Sequence, residues 1–399
     1  MPTLALNPNP IRVIVPGKFW DSQLYAGTLF LFGLSGELSS LSWDELVADL
    51  PLPPGLRVAA EFALLGNHHL YEPGARLLLG DPDMRQLLFR KFHELSEKSP
   101  WEVRIKDPSV QENPMPFPHN DSEAHYQTLY VAASEGVFGL SMTGGRVDDL
   151  RLSDVPTFNI AAKYRTIAQA AGTEGLYAAH IGSGSNLSGD AGPIRQTHIS
   201  KLPCMTCEWA SSSIIAAGFE NGLYMAPYET VEGPKERLKK GRIERQFQAI
   251  ISESDIFGND SQKRKGFTWG AGDKIFRFEG GHVEVVQYGR DKRKRPSFSI
   301  KGDIAVDRAR IGESVVSARA ASFGSVVEGD DGLFVMLTTG ELLSIDGEPT
   351  NWRVFPRSRN YLNHLHIVYR DRLEVWAFTH DYFVDQGAKL AGLNAASPD

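Results

Sequence analysis

Leu129-Tyr130-Val131-Ala132, followed by Ser134-Glu135-Gly136 and then Val137-Phe138-Gly139-Leu140, is a pair of apolar runs joined by a small-residue turn. Aromatic and β-branched residues fit a pleated surface, and the turn offers a residue that tolerates positive φ, so the stretch reads as a β-hairpin. The same pattern recurs along the chain. Leu24-Tyr25-Ala26-Gly27 opens it, and Leu176-Tyr177-Ala178-Ala179 leads into a glycine-serine loop. Ile214-Ile215-Ala216-Ala217 passes through Glu220-Asn221-Gly222 into Leu223-Tyr224-Met225. Phe267-Thr268-Trp269 passes through Gly272-Asp273 into Ile275-Phe276-Arg277-Phe278. Leu333 to Met336 and Leu373 to Trp376 begin two more units, turning into Leu342 to Ile345 and Tyr382 to Val384.

These seven starts fall at 24, 129, 176, 214, 267, 333 and 373, and the later spacings of 47, 38, 53, 66 and 40 scatter around one four-stranded blade. The expectation is an all-β chain forming a single β-propeller of about seven blades, with residues 1–386 as one domain and 387–399 as a flexible tail. Ile11 to Val15 is a lone strand with no nearby hairpin partner, and it is the candidate for ring closure at 11–15. Residues 40–120 break the repeat and read as an irregular, partly helical insertion or a degenerate blade around Leu70 to Leu79. A separate small α+β domain is the alternative for this stretch. Ser42 caps one expected helix, with Glu45 three residues on, and Asp83 caps another that runs to Glu97.

In general plan the hairpin repeat resembles a WD40- or kelch-like β-propeller over roughly residues 124–386. The marks of those families are missing. Trp20-Asp21 and Trp43-Asp44 lie outside the repeat, and Gly144-Gly145 and Gly280-Gly281 occupy different positions in it. The resemblance therefore implies a fold and names no specific family, and propellers serve binding modules and enzymes alike.

Composition limits the function classes. With 399 residues, 42% hydrophobic, 10% aromatic and 2 Cys, the chain is neither a disordered protein nor a disulfide scaffold. The opening MPTLALNPNP has no secretory pattern, and no run approaches the length of a membrane helix, so a cytoplasmic protein without membrane contact is expected.

Charge is unevenly spread. Between Lys235 and Arg295 there are 16 Lys plus Arg against 9 Asp plus Glu, a net of +7, while the whole chain carries −7 and the remainder therefore −14. The positive charge sits in three inter-strand clusters, within which Lys239, Lys240 and Arg242, then Lys263, Arg264 and Lys265, then Arg290, Lys292, Arg293, Lys294 and Arg295 are the candidate partner-binding residues. On one face they would attract an acidic protein surface. Nucleic acid is disfavoured, because aromatics do not interleave with these basic residues in sequence and the rest of the chain is acidic.

Other chemistry is sparse. Cys204-Met205-Thr206-Cys207 is a lone CxxC running into a strand-like segment, which reads as packed, reduced cysteines. His119, Asp121, Glu123 and His125 alternate and would share one face of an extended segment, making them the candidates for a metal. His364 and His366 read as a surface or channel-facing pair. Gly182 to Gly189 lacks the Lys-Ser/Thr ending of a phosphate loop, and no nucleophile elbow or zinc-protease pair occurs. No cofactor and no catalytic residue are assigned. The reading that results is a non-catalytic protein-binding scaffold, adaptor or neutralising partner in a cytoplasmic multi-protein assembly, with bacterial defence or immunity as one setting. The alternative is a propeller enzyme, a metal-assisted hydrolase or lyase with its active site at the channel mouth.

Overall fold

The computed structural model describes residues 9–65, 81–106, 108–142, 150–181, 195–218, 222–230, 245–258, 266–271, 273–291, 295–305, 315–330, 332–337, 341–358 and 360–378. Seven antiparallel sheets follow one another along the chain as the blades of a β-propeller. Blade one is Phe19–Tyr25, Thr28–Gly33, Glu37–Ser42 and Ser109–Glu112; blade two is Asp121–His125, Thr128–Ala133, Gly136–Ser141 and Leu150–Ser153. Blade three is Asn159–Lys163, Thr166–Ala170, Leu176–His180 and Arg195–Ser200. Blade four is Thr206–Ala210, Ser213–Gly218, Gly222–Thr230 and Arg245–Phe247, with the short strand Ile251–Ser252 beside its third member. Blade five is Phe267–Ala271, Lys274–Glu279, His282–Arg290 and Pro296–Ala305; blade six is Val315–Ala321, Gly324–Gly329, Gly332–Leu337 and Leu342–Ile345.

Blade seven draws on both ends of the described chain. Asn351–Val354, His364–Val368 and Arg372–Ala377 are followed by Ile11–Pro16, paired antiparallel from Ile11 opposite Ala377 to Pro16 opposite Arg372. Trp101–Glu102 then adds in parallel beside Val13 and Ile14. The strand at Leu373 thus pairs with a strand before it, while Tyr382 to Val384 lie outside the described residues.

The hairpins legible in sequence are not one hairpin repeated. Leu129 to Leu140 covers the second and third strands of its blade, Phe267 to Phe278 the first and second, and Leu333 to Ile345 the third and fourth. First strands begin at 121, 159, 206, 267, 315 and 351, so blade lengths vary even in true register because the connections differ in length. Some turns leave no room for a side chain. Gly136 and Gly175 open the third strands of blades two and three at positive φ, and a Cβ on either would strike the Ser153 or Ser200 carbonyl of the neighbouring strand.

By internal contacts the chain forms two compact units. One comprises Met1–Glu112, Ala320–Val326 and Gly332–Asp399; the other comprises Asn113–Arg319 and Val327–Asp331. In the first unit, helices among the described residues interrupt blade one between its third and fourth strands: α1 (Trp43–Ala48), α2 (Pro54–Leu64) and α3 (Pro82–Glu97). Ser42 caps α1 by accepting from the Glu45 N–H. α3 is capped by Asp81, which accepts from Asp83 and Met84, and not by Asp83: Pro82 takes the first helical position, where a missing N–H costs nothing. The helices bury Trp43, Phe62, Leu64, Phe92 and Leu95 in the same core as Ile11, Val13, Val15 and Val375, so this stretch shares the core of blade seven. Residues 66–80, where a degenerate blade was expected, lie outside the described residues. In the second unit the blades pack through clusters such as Trp209, Tyr224 and Tyr228 with Ala161 and Ala168.

Candidate functional site

The first strands of blades two and three, three and four, and four and five touch one another, so the polar residues they carry meet on the inner side. Asp121 is 6% exposed, and its carboxylate is fully engaged. Oδ1 accepts from the Ser122 N–H at 2.9 Å, and Oδ2 accepts from Asn159 Nδ2 at 2.6 Å, the Ile160 N–H at 3.1 Å and Arg319 Nη2 at 3.2 Å. Asn159 Oδ1 accepts in turn from the Cys207 N–H at 2.8 Å. A side chain on one blade thus holds the backbone of the next, and the Asp121–Arg319 pair links blade two with blade six. In the other unit the dipeptide Asp21-Ser22 repeats the pattern of Asp121-Ser122. Arg353 Nε and Nη2 donate to Asp21 at 3.2 and 2.8 Å, and the Ser22 N–H donates at 2.7 Å.

Asp121 is therefore a fastening residue. Among the described residues no group of three or more His, Cys, Asp and Glu is placed to hold a metal ion, so His119, Asp121, Glu123 and His125 do not converge as their alternation suggested. His119 is buried beside Phe117, and His125 lies against Tyr126 with ring centroids 4.3 Å apart. His364 and His366 are corrected as well: both are fully buried in the second strand of blade seven, not at a surface.

The other end of these first strands carries an unusual set of turns. His125-Tyr126-Gln127-Thr128 and Lys163-Tyr164-Arg165-Thr166 are two-residue hairpin turns at matching positions of blades two and three. Both central residues of each have positive φ: 45° and 60° in the first, 53° and 57° in the second. That is the mirror-image turn that Asn-Gly normally fills, and a bulky side chain there is an outlier with a cost of about 1–2 kcal/mol per residue. In exchange the two tyrosines project outward, Tyr126 57% and Tyr164 37% exposed.

Cations interleave with them. Arg165 lies over the Tyr126 ring at 5.5 Å from the centroid, Arg245 over Tyr164 at 3.9 Å, and Lys163 Nζ over Tyr164 at 5.0 Å. Such contacts contribute about 0.5–1 kcal/mol each at exposed sites. Tyr164 also rests edge-on against Trp209, 2% exposed, at 5.7 Å between centroids, and Trp209 packs on Tyr228. The platform is thus backed by a rigid aromatic cluster. Among the described residues Arg165 and Arg245 have no carboxylate partner, so their charge is available to a ligand. Sequence reading looked for interleaving along the chain and missed it in space. The signal was present as x-Tyr-x-Thr repeated at 125–128 and 163–166.

Of the basic residues singled out by charge, Lys239, Lys240, Arg242, Lys263, Arg264, Lys265, Lys292, Arg293 and Lys294 lie outside the described residues. Arg290 donates to Glu229 at 2.9 Å, and Arg295 pairs with Asp291 at 3.0 Å. The third strands of blades four and five, Gly222–Thr230 and His282–Arg290, run antiparallel to their second strands and so end at the blade end that bears the first-to-second turns. Arg245, the first residue described after 231–244, is the one seated over Tyr164.

Cys204 and Cys207 are buried and free, with their thiols directed at the Thr206 and Asn159 carbonyls. Burial pushes the Cys204 thiol up to about 12, which removes the thiolate that redox or metal chemistry needs.

No family model and no curated protein matches the chain. Among solved structures it is similar to the Neurospora crassa Pan2 WD40 domain, with 9% identity over 91% of this chain and 89% of that one, at a TM-score of 0.46. It is also similar to the computationally designed Ika8 protein, with 8% identity over 92% and 99% and a TM-score of 0.45. A third is the β-propeller domain of Cps50 (Swd1) from Myceliophteria thermophila, with 13% identity over 66% and 84% and a TM-score of 0.38. At these identities and scores nothing about function passes from them to this chain. No helix among the described residues is long and apolar enough to cross a membrane.

Proposed function

We propose that this propeller is a non-catalytic scaffold or adaptor of a cytoplasmic multi-protein assembly, binding an acidic protein surface at the end of blades two to four. The observation that carries the reading is the platform of Tyr126, Arg165, Tyr164, Lys163 and Arg245. Its strained turns hold aromatic rings outward together with the guanidinium groups of Arg165 and Arg245. Exposed tyrosines backed by a packed cluster supply contact area at low entropic cost, and arginines among them supply orientation. The excess of Lys and Arg between Lys235 and Arg295 supports the choice of an acidic partner.

The experiment is affinity purification from the native cell, followed by binding measurements between the purified partner and this chain. Charge reversal of Arg165 and Arg245 together, with Tyr126→Ala and Tyr164→Ala tested separately, lowers affinity by about tenfold or more. A partner that binds these variants as tightly as wild type overturns the reading. So does oligo-dT that binds the wild type more tightly than the protein partner does.

A further inference from the structure

A cavity lined by residues of the second unit lies near the starts of the first strands of blades four, five and six, at the opposite end of the first strands from the tyrosine platform. We propose that it binds a neutral polyhydroxylated ligand of the sugar type, at a site separate from the protein-binding platform.

Three consecutive blades each bring one hydroxyl to the lining: Thr206, Thr268 and Ser317, all among the first three residues of their strands. None of these hydroxyls makes a hydrogen bond among the described residues, and Thr268, 4% exposed, keeps its Oγ1 buried and unmet. A buried hydroxyl without a partner is costly, and a ligand atom that meets it removes that cost. Arg319 follows Ser317 by two residues and so shares its face of the strand. Its Nη2 donates to Asp121 at 3.2 Å, while Nε and Nη1 have no acceptor among the described residues. Those two groups lie on opposite edges of the guanidinium, which suits two separate oxygen atoms.

The charged groups at the cavity are already met within the protein. Asp121 compensates Arg319, and its carboxylate also accepts from Asn159 and two backbone N–H groups. Glu208, also in the lining, is engaged as well, with the Trp209 N–H at 2.9 Å among its partners. A carboxylate, phosphate or ammonium entering there finds no unmet counter-charge, and burying it unpaired is expensive. Ligand hydroxyls carry no such cost. Each one both donates and accepts, so it can meet a protein hydroxyl or a guanidinium N–H alike. Ile215, Ala217 and Trp269 add apolar wall to the same lining, which suits the C–H faces that a sugar ring presents between its hydroxyls. Water uses only the polar part of this lining, whereas a sugar ring uses both.

The test is saturation-transfer NMR of the full chain with D-glucose, D-galactose and D-mannose at millimolar concentration, followed by calorimetry on each sugar that shows transfer. At least one of the three binds saturably. The uronate and the amino sugar of the same hexose each bind at least about tenfold more weakly, because each carries a charge that the cavity does not meet. Thr268→Val is a fold-safe variant, since it replaces an unpartnered buried hydroxyl by a methyl group of the same size, and an unchanged melting temperature checks this. It and Ser317→Ala each weaken sugar binding by about tenfold. If no hexose shows saturable binding, the cavity holds water alone and the proposal is wrong. It also fails if the uronate or the amino sugar binds as tightly as the neutral hexose, which would mark a site for charge. Unchanged affinity in both variants places the binding elsewhere and overturns it too. None of these outcomes bears on the tyrosine platform, whose variants are measured against the protein partner.

Discussion

Ser211 sits at φ 51° in the first-to-second turn of blade four, the position that Tyr126 and Tyr164 occupy in blades two and three. It is exposed, bears no aromatic ring, and offers Lys163 only its carbonyl, so its strain serves nothing that glycine could not supply. Ser211→Gly should raise stability by about 1 kcal/mol, read as a higher melting temperature, and leave partner affinity unchanged. A drop in stability would show that the left-handed turn carries no strain. A second residue-level device is His364, fully buried among Trp43, Tyr361 and His366, with only the Ala63 carbonyl acting to favour its protonated form. Burial lowers its pKa to about 4, and burial lowers that of His366 as well, with His364, Arg353 and Asp21 as lesser influences. The folded state holds both rings neutral, whereas the unfolded chain takes up protons near pH 6.5. Stability is therefore complete above that pH and is lost as pH falls through it toward 4, by about 3 kcal/mol from His364 alone. Melting curves of wild type and His364→Phe should converge in slope above about pH 7 and diverge below it; parallel curves would refute the assignment. Neither residue was legible as a device in sequence. A strand histidine looks the same whether it faces solvent or core, and only the helical insertion packed against blade seven decides the matter.

At the scale of elements, sequence reading recovered strands well and their register poorly. The short apolar runs were visible because the inner strands of the blades, such as Thr128–Ala133 and Thr166–Ala170, are buried along their whole length. Which strand of a blade each run formed was not visible, because more than one strand of a blade carries such a run and only pairing distinguishes them. The strand expected at 11–15 is the clearest element-level inference: a lone run with no local partner needs a distant one, and Arg372–Ala377 supplies it. Val13 is fully buried there, opposite Val375 and beside Trp101. Val13→Asp places an unpaired carboxylate in that core and should cost about 3–5 kcal/mol, seen as loss of cooperative unfolding or as aggregation through the freed strand edge. A near-normal melting temperature would mean that blade seven closes without this strand. The polar fastenings were less legible. Asp121 was singled out for its neighbours in sequence, yet its partners Asn159 and Arg319 lie 38 and 198 residues away. Asp121→Ala should destabilise by about 2–4 kcal/mol by leaving Arg319 half-buried and unpaired, measurable by chemical denaturation.

At the scale of the whole molecule, the net charge of −7 conceals a division into +7 between Lys235 and Arg295 and −14 elsewhere. Among the described residues Lys163, Arg165 and Arg245 are the cations of the platform, and the first two of these fall outside the charged window. Charge counted along the chain therefore misses part of the platform, because blades bring together residues far apart in sequence. On the proposed reading, charge segregated in this way attracts an acidic partner from a distance and orients it before contact. Salt then acts on the rate of encounter more than on dissociation. Raising ionic strength from about 0.05 M to 0.5 M shortens the screening length from roughly 14 Å to roughly 4 Å, and should slow association by about tenfold. The aromatic contacts of Tyr126 and Tyr164 act only at contact range, so their removal should speed dissociation and leave the salt dependence of the on-rate intact. Reversing Arg165 and Arg245 should do the opposite and flatten that dependence. Stopped-flow binding with the purified partner separates the two effects, and a salt-independent on-rate in wild type would show that the segregated charge does not steer association.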